Sequence, residues 1–67
     1  MELMQDLTHR EIVILKSVSL GDASKQTAVK LDISEQTVKN HLTCIFQKMD
    51  ARNRAHAVAL AIRGGII

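Results

Sequence analysis

Between Leu31 and Met49 the chain reads LDISEQTVKNHLTCIFQKM, a short polar break followed by a long run with two chemically different sides. A helix turns about 100° per residue, so with Gln36 at the origin Asn40, Thr43 and Gln47 fall within roughly 40° of it and Lys39 within about 60°. Val38, Leu42, Ile45, Phe46 and Met49 lie on the other side of the wheel. One side can seal a core, and the other offers hydrogen-bonding groups and a cation. An ordinary surface helix would place acids there, because acid–base pairs one turn apart stabilise it. The wet face of this helix body has none.

A tight break followed by such a helix is the pattern of the turn and second helix of a helix-turn-helix, and it points to DNA. The remaining composition is consistent with that. At 67 residues the chain makes one small domain, assigned to residues 1–67, of a size that buries only about 60% of its unfolded surface. That leaves no room for an enzyme pocket with supporting walls. Hydrophobic residues make up 46%, yet the only aromatic is Phe46 and there is no proline. The core must therefore be aliphatic, and helices joined by short turns are favoured over sheet.

Net charge is only +2, so its distribution matters more than its sum. Residues 1–24 carry two basic and four acidic side chains, whereas residues 25–54 carry six basic and three acidic ones, and Arg63 adds one more positive charge. Positive charge thus travels with the helix-turn-helix. A lone cysteine, Cys44, excludes an internal disulfide framework and a cysteine-rich zinc module, and fits a reducing compartment. No apolar run approaches the roughly 18 residues that span a bilayer, and the N-terminus lacks the order of a signal peptide. The expected location is the cytoplasm.

Punctuation along the chain predicts an all-α fold of four helices over residues 9–19, 24–31, 35–49 and 54–63. Thr8-His9-Arg10-Glu11 is a capping box for the first, with Leu7 as a staple, Ile14, Leu15 and Val18 inward, Ile12 or Val13 half exposed, and Gly21 as its left-handed stop. Asp22 or Ser24 is the expected cap of the second, with Ala28 and Leu31 inward and Lys25, Gln26 and Lys30 outward; Thr27 and Val29 are ambiguous. Asp32 falls where the chain must turn sharply and a positive φ is expected. Ser34 caps the third helix with Thr37 returning a bond, and Asn53 caps the fourth, which Gly64-Gly65 terminates. Val58, Ala61 and Ile62 form its expected inner stripe. Glu11 precedes the core stripe and needs a cation, for which Arg54 is the candidate.

Three motifs in this order resemble the LuxR/NarL-type, FixJ-like, DNA-binding domain of bacterial transcription regulators: Leu7-Thr8-x-Arg10-Glu11, Ile33-Ser34-x-x-Thr37-Val38-Lys39-x-His41, and Asn53-Arg54-x-x-Ala57-Val58. The resemblance covers about Leu7 to Ile67. It implies that the helix from Ser34 to Met49 enters the major groove, that the preceding helix braces the backbone, and that the fourth mediates dimerisation. By position, Lys39, Asn40 and Thr43 resemble base-facing residues, and Lys25, Gln26 and Thr37 phosphate contacts. Asp32 and Asp50 stand where the family usually has glycine. In such regulators a receiver or ligand-binding domain usually precedes this part, as in response regulators, and RNA polymerase is a further expected partner.

The chemistry of each side chain can be set against a blander role. Lys39 can reach guanine O6/N7 or a phosphate, Asn40 can pair with adenine N6/N7, and Thr43 can touch a thymine methyl. Each could equally be a solvated surface residue. Gln36 and Gln47 depend on docking angle; Gln36 is assigned to the bases and Gln47 to the phosphates. Thr37 lies beside the unpaired amides of a helix start, which attract anions, and Lys25, Gln26, Lys48 and Arg52 can fix register through phosphates. His41 with Cys44 supplies only two ligands, so neither a metal nor a cofactor nor a small-molecule ligand is expected, and no catalytic constellation is present. Cys44 is expected at the edge of the core.

The fourth helix is so rich in alanine that either it packs closely inside the monomer or it forms a two-fold contact through Ala57, Leu60 and Ala61. The two-fold contact is the preferred reading, and would present two recognition helices about 34 Å apart. The function expected is sequence-specific binding of double-stranded DNA by a transcription regulator's effector domain, as a homodimer. A small helical adaptor that binds protein and not DNA is the alternative; the fourth helix suits it and the acid-free face of the third does not.

Overall fold

The helices of the chain begin where first-turn amides can be satisfied and end where the backbone can turn left-handed. A computed structural model describes residues 7–67, and among these four helices and no strand form: α1 (His9–Ser19), α2 (Ser24–Leu31), α3 (Glu35–Met49) and α4 (Arg54–Arg63). The all-α expectation holds with its four helix bounds. Residues 1–6, included in the assigned domain, lie outside the described residues.

Thr8 and Glu11 form the reciprocal capping box: the Glu11 amide donates to Thr8 Oγ1 at 3.1 Å and the Thr8 amide to Glu11 Oε1 at 2.8 Å. Such a cap is worth about 1 kcal/mol. Asn53 Oδ1 accepts from the His56 amide at 2.9 Å in the same manner. α2 departs from expectation. Its N-cap is Ala23, which has no side-chain acceptor, and Gln26 Oε1 alone closes the turn by accepting from the Ala23 amide at 2.7 Å. Asp22 is instead turned toward Ser17 and Lys30, and Ser24 is the first residue inside the helix.

All four helices end on the same paired bonds, in which the residue after the left-handed one bonds back five positions. Asp22 donates to Ser17, Ile33 to Ala28, Ala51 to Phe46 and Ile66 to Ala61, all through backbone groups. The left-handed positions are Gly21, Asp32, Asp50 and Gly65. Glycine adopts this conformation without penalty, whereas a residue with a Cβ is strained there by roughly 1–2 kcal/mol. Asp32 (φ 56°) and Asp50 (φ 54°), the residues that bracket α3, carry that strain.

The core gathers Leu7, Ile14, Leu15, Val18, Ala28, Val38, Leu42, Ile45, Met49, Ala57 and Ala61. α3 touches each of the other helices, which explains why its aliphatic side supplies four of these residues. Each large aliphatic side chain so buried contributes about 1.5–3 kcal/mol. Ile12 and Val13 are both half-buried, where the all-round apolar run implies that one of them is half exposed. Beside the apolar core lies a polar knot: Ser17 and Thr27 hydroxyls meet at 2.7 Å, Ser17 Oγ donates to Asp22 Oδ2 at 2.7 Å, and Lys30 Nζ closes on the same carboxylate. Thr27 is fully buried and Val29 is exposed, resolving the two ambiguous positions of α2.

Candidate nucleic-acid interface

α3 is held in place by its first residue pair and by its buried stripe. Ser34 Oγ accepts from the Thr37 amide at 3.0 Å, and the two hydroxyls meet at 2.7 Å. Val38, Leu42, Ile45 and Met49 are buried. Because the helix period is fixed, that burial forces Gln36, Lys39, Asn40, Thr43 and Gln47 outward, and all five are exposed. Thr37 is half-buried at the helix start.

The exposed face is organised by its own hydrogen bonds. Gln36 Nε2 donates to Asn40 Oδ1 at 3.0 Å. Thr43 Oγ1 donates to the Lys39 carbonyl at 3.1 Å, which fixes the threonine rotamer with its hydroxyl turned back along the helix. Lys39 lies 3.6 Å from Glu35, with 56% of its side chain accessible. A pair this open is worth only about 0.3–0.5 kcal/mol, so its ammonium can exchange onto a stronger anion.

On α2, Lys25 and Gln26 are exposed at the helix start. With Gln26 Oε1 occupied by the Ala23 amide, its Nε2 hydrogens remain as outward donors. Ser24 Oγ, buried beneath them, accepts from Arg54 at 2.5 Å and ties α2 to the start of α4. Arg54 is therefore not the partner of Glu11. That partner is Lys48, whose Nζ donates to Glu11 Oε1 at 2.8 Å across 37 residues of sequence.

Lys48, expected at a phosphate, is thus engaged inside the molecule, and any phosphate contact would compete with this pair. Its ammonium joins α3 to α1, with the Glu11 side chain only 6% exposed. Burial pushes the Glu11 carboxyl up, but the bonds from Lys48 and Thr8 outweigh it and hold the group below its ordinary value. The Asp22 carboxyl is likewise held low, first by Lys30 and then by Ser17. No local pattern announces a Glu11–Lys48 pair; only the packing of α1 against α3 brings them together.

Of the expected inner stripe of α4, Ala61 is buried and Val58 packs half-buried against the core, and only Ile62 departs. Ala57 and Ala61 are fully buried against the rest of the molecule, so neither can present its side chain to a second copy. Leu60 is half-buried against the core. Ile62, expected inside, is 59% exposed. Exposed Ala55 and Ile62, with half-buried Ala59 and Val58, the latter also packed against the core, line with Val18 and Gly21 an open groove of about 500 Å³ between α4 and the end of α1. Cys44 is exposed and not at the edge of the core. Among the described residues no group of three His, Cys, Asp or Glu side chains is placed to hold a metal ion, and no helix is long and apolar enough to cross a membrane.

A helix braced from behind, a left-handed turn at Asp32 and a second helix with its uncharged-polar and lysine side in solvent together define a helix-turn-helix domain of the nucleic-acid-binding kind. The family model for bacterial regulatory proteins of the luxR family matches residues 5–61. The chain belongs to that family, and is the DNA-binding effector domain of a transcription regulator. It is similar to the transcriptional regulatory protein YdfI of Bacillus subtilis, 43% identical over 61 residues that make up 91% of this chain and 29% of that protein. It is also similar to a glycerol metabolism activator of Pseudomonas putida, 40% identical over 90% of this chain and 27% of that protein. The transcriptional regulatory protein DegU of Brevibacillus brevis is 41% identical over 88% of this chain and 25% of that protein. The chain thus spans less than a third of the length of the curated relatives it matches. The family is one of regulator domains and not of enzymes.

Proposed function

We propose that the chain binds double-stranded DNA sequence-specifically in the cytoplasm, with α3 lying in the major groove and α2 bracing the backbone. Gln36, Lys39, Asn40 and Thr43 face base edges. Lys25, Gln26, Thr37 and Gln47 meet phosphates, which set register and supply the salt-sensitive part of the affinity. The observation that carries this reading is the exposed face of α3, where hydrogen-bonding side chains and a loosely held lysine stand together with no acid beyond the first turn.

A second copy is proposed on the outer side of α4, through Ala55, Val58, Ala59 and Ile62, so that a pair of recognition helices meets a pseudo-palindromic site. The apolar groove beside these residues supports it. RNA polymerase is the proposed protein partner of the regulator once seated. Titrating a labelled duplex at two salt concentrations tests the reading: binding should weaken steeply with salt, following the number of phosphates neutralised. Absence of binding at low salt would leave the protein-adaptor alternative.

A further inference from the structure

Asn40 stands one helical turn after Gln36 on the open face of α3, and the two amides are joined by the 3.0 Å bond from Gln36 Nε2 to Asn40 Oδ1. A carboxamide is planar, with a carbonyl acceptor on one side and two N–H donors on the other. Turning Asn40 Oδ1 toward Gln36 therefore aims Asn40 Nδ2 away from it. Asn40 then meets a base edge as a donor. Gln36 has given one N–H to Asn40 and keeps the other, together with its own carbonyl oxygen.

We infer that Gln36 and Asn40 read DNA as one coupled unit, with Gln36 recognising adenine and Asn40 both orienting Gln36 and donating to guanine or thymine on a neighbouring base pair. The inference rests on α3 entering the major groove, and names the base chemistry of that site. Adenine offers N7 as acceptor and N6–H as donor, which matches the acceptor and donor left on Gln36; guanine O6 and N7 and thymine O4 are acceptors, which match the donors left on Asn40. An adenine contact by Asn40 itself, the simpler expectation from its residue type, requires breaking the amide–amide bond. In water that bond is worth little, as amide pairs one turn apart on a helix generally are. Where DNA excludes water it strengthens.

The experiment is binding-site selection from a randomised duplex pool by the 67-residue chain, followed by affinities for the selected site and its single-base variants. Gln36→Ala should lose discrimination at one adenine by roughly tenfold to a hundredfold, the range of a bidentate contact, and keep the other preferences. Asn40→Ala should lose its own guanine or thymine preference and the adenine preference as well. The double variant should discriminate adenine no worse than Gln36→Ala alone, which is the mark of coupling. Asn40→Asp keeps an acceptor for Gln36 and removes the donor, so adenine preference should survive while affinity falls. Both residues are exposed, so thermal melting should be unchanged in every variant. Adenine preference intact in Asn40→Ala, with additive losses in the double variant, overturns the inference while leaving groove binding standing. A parent chain that selects no site at any position overturns the groove reading, and this inference with it.

Discussion

The outer faces of α3 and α4 are both open to solvent, yet they are opposite in chemistry. α3 shows Gln36, Lys39, Asn40, Thr43 and Gln47. α4 shows Ala55, Val58, Ala59 and Ile62 along an apolar groove. Water tolerates the first face at no cost and is displaced from the second at a gain. The difference teaches that solvent exposure is not one condition: the polar face loses nothing by staying hydrated, and the apolar face gains by being covered.

That comparison can be broken most severely from the inner side of α4. Ala57→Asp places an unpaired charge at a fully buried position and should cost about 3–5 kcal/mol, enough to threaten a small domain. Ala55→Asp, two residues away on the outside, should leave the melting temperature nearly unchanged and weaken self-association as read by analytical ultracentrifugation. If both variants unfold, the outer face of α4 is not a separate surface.

Next in size is Lys39→Ala. It should weaken binding to the selected site by about 1–3 kcal/mol if a base is read, with no change in thermal stability, since Lys39 holds only the exposed Glu35. Fluorescence anisotropy with cognate and scrambled duplexes separates a lost base contact, which affects the cognate alone, from a lost phosphate contact, which affects both.

Two further lysines sharpen the contrast between inside and outside. Lys48→Met should lower stability by about 1 kcal/mol through loss of a charge-assisted bond to Glu11 and leave the salt dependence of DNA binding as it was. Lys25→Ala should do the reverse, flattening the salt slope by about one unit. Glu11 also sets a pH dependence. Its carboxyl and that of Asp22 are held below their ordinary values in the folded chain, so the unfolded chain binds more protons as pH falls through the carboxylate range. The stability they contribute is complete above their ordinary values and is lost as pH drops toward the folded ones. Urea melts from neutral pH to below pH ~4 should show that loss, and Glu11→Gln should diminish it.

The smallest effect is expected at the ends of α3. Asp32→Gly and Asp50→Gly relieve left-handed strain but add freedom to the unfolded chain, for a net gain of a few tenths to about 1 kcal/mol each. Unchanged or lower stability would mean that the aspartates hold bonds worth more than the strain.

Much of this was legible in the letters because it is local. Thr8 with Glu11, Ser34 with Thr37, and Asn53 satisfy their own neighbours, so the starts of three helices could be read within four residues. The two-sided pattern of α3 placed its polar face because Leu, Ile, Val and Met contrast sharply with Gln, Asn and Lys. α4 offered no such contrast. With alanine at 55, 57, 59 and 61, rotation about the helix axis changes the apolar pattern little, so the letters do not distinguish a stripe through Ile62 from the observed one through Ala57 and Ala61. Glu11–Lys48 and Ser24–Arg54 join residues 37 and 30 positions apart. Such pairs depend on how helices cross, which single-residue chemistry does not encode, so Arg54 meets Ser24 and not Glu11. Ala23 shows the remaining limit: a cap can be closed by the returning Gln26 alone, with the capping position itself silent.

The account stands on which of the two open faces meets the duplex. Resonance mapping of the labelled chain during titration with its selected duplex reads both faces in one measurement. The side-chain amides of Gln36, Asn40 and Gln47 and the backbone of Lys25 and Gln26 should shift, while the α4 residues Ala55, Val58 and Ile62 keep the positions they hold in the DNA-free chain. Shifts confined to α4, with the α3 amides unmoved at saturation, would contradict it.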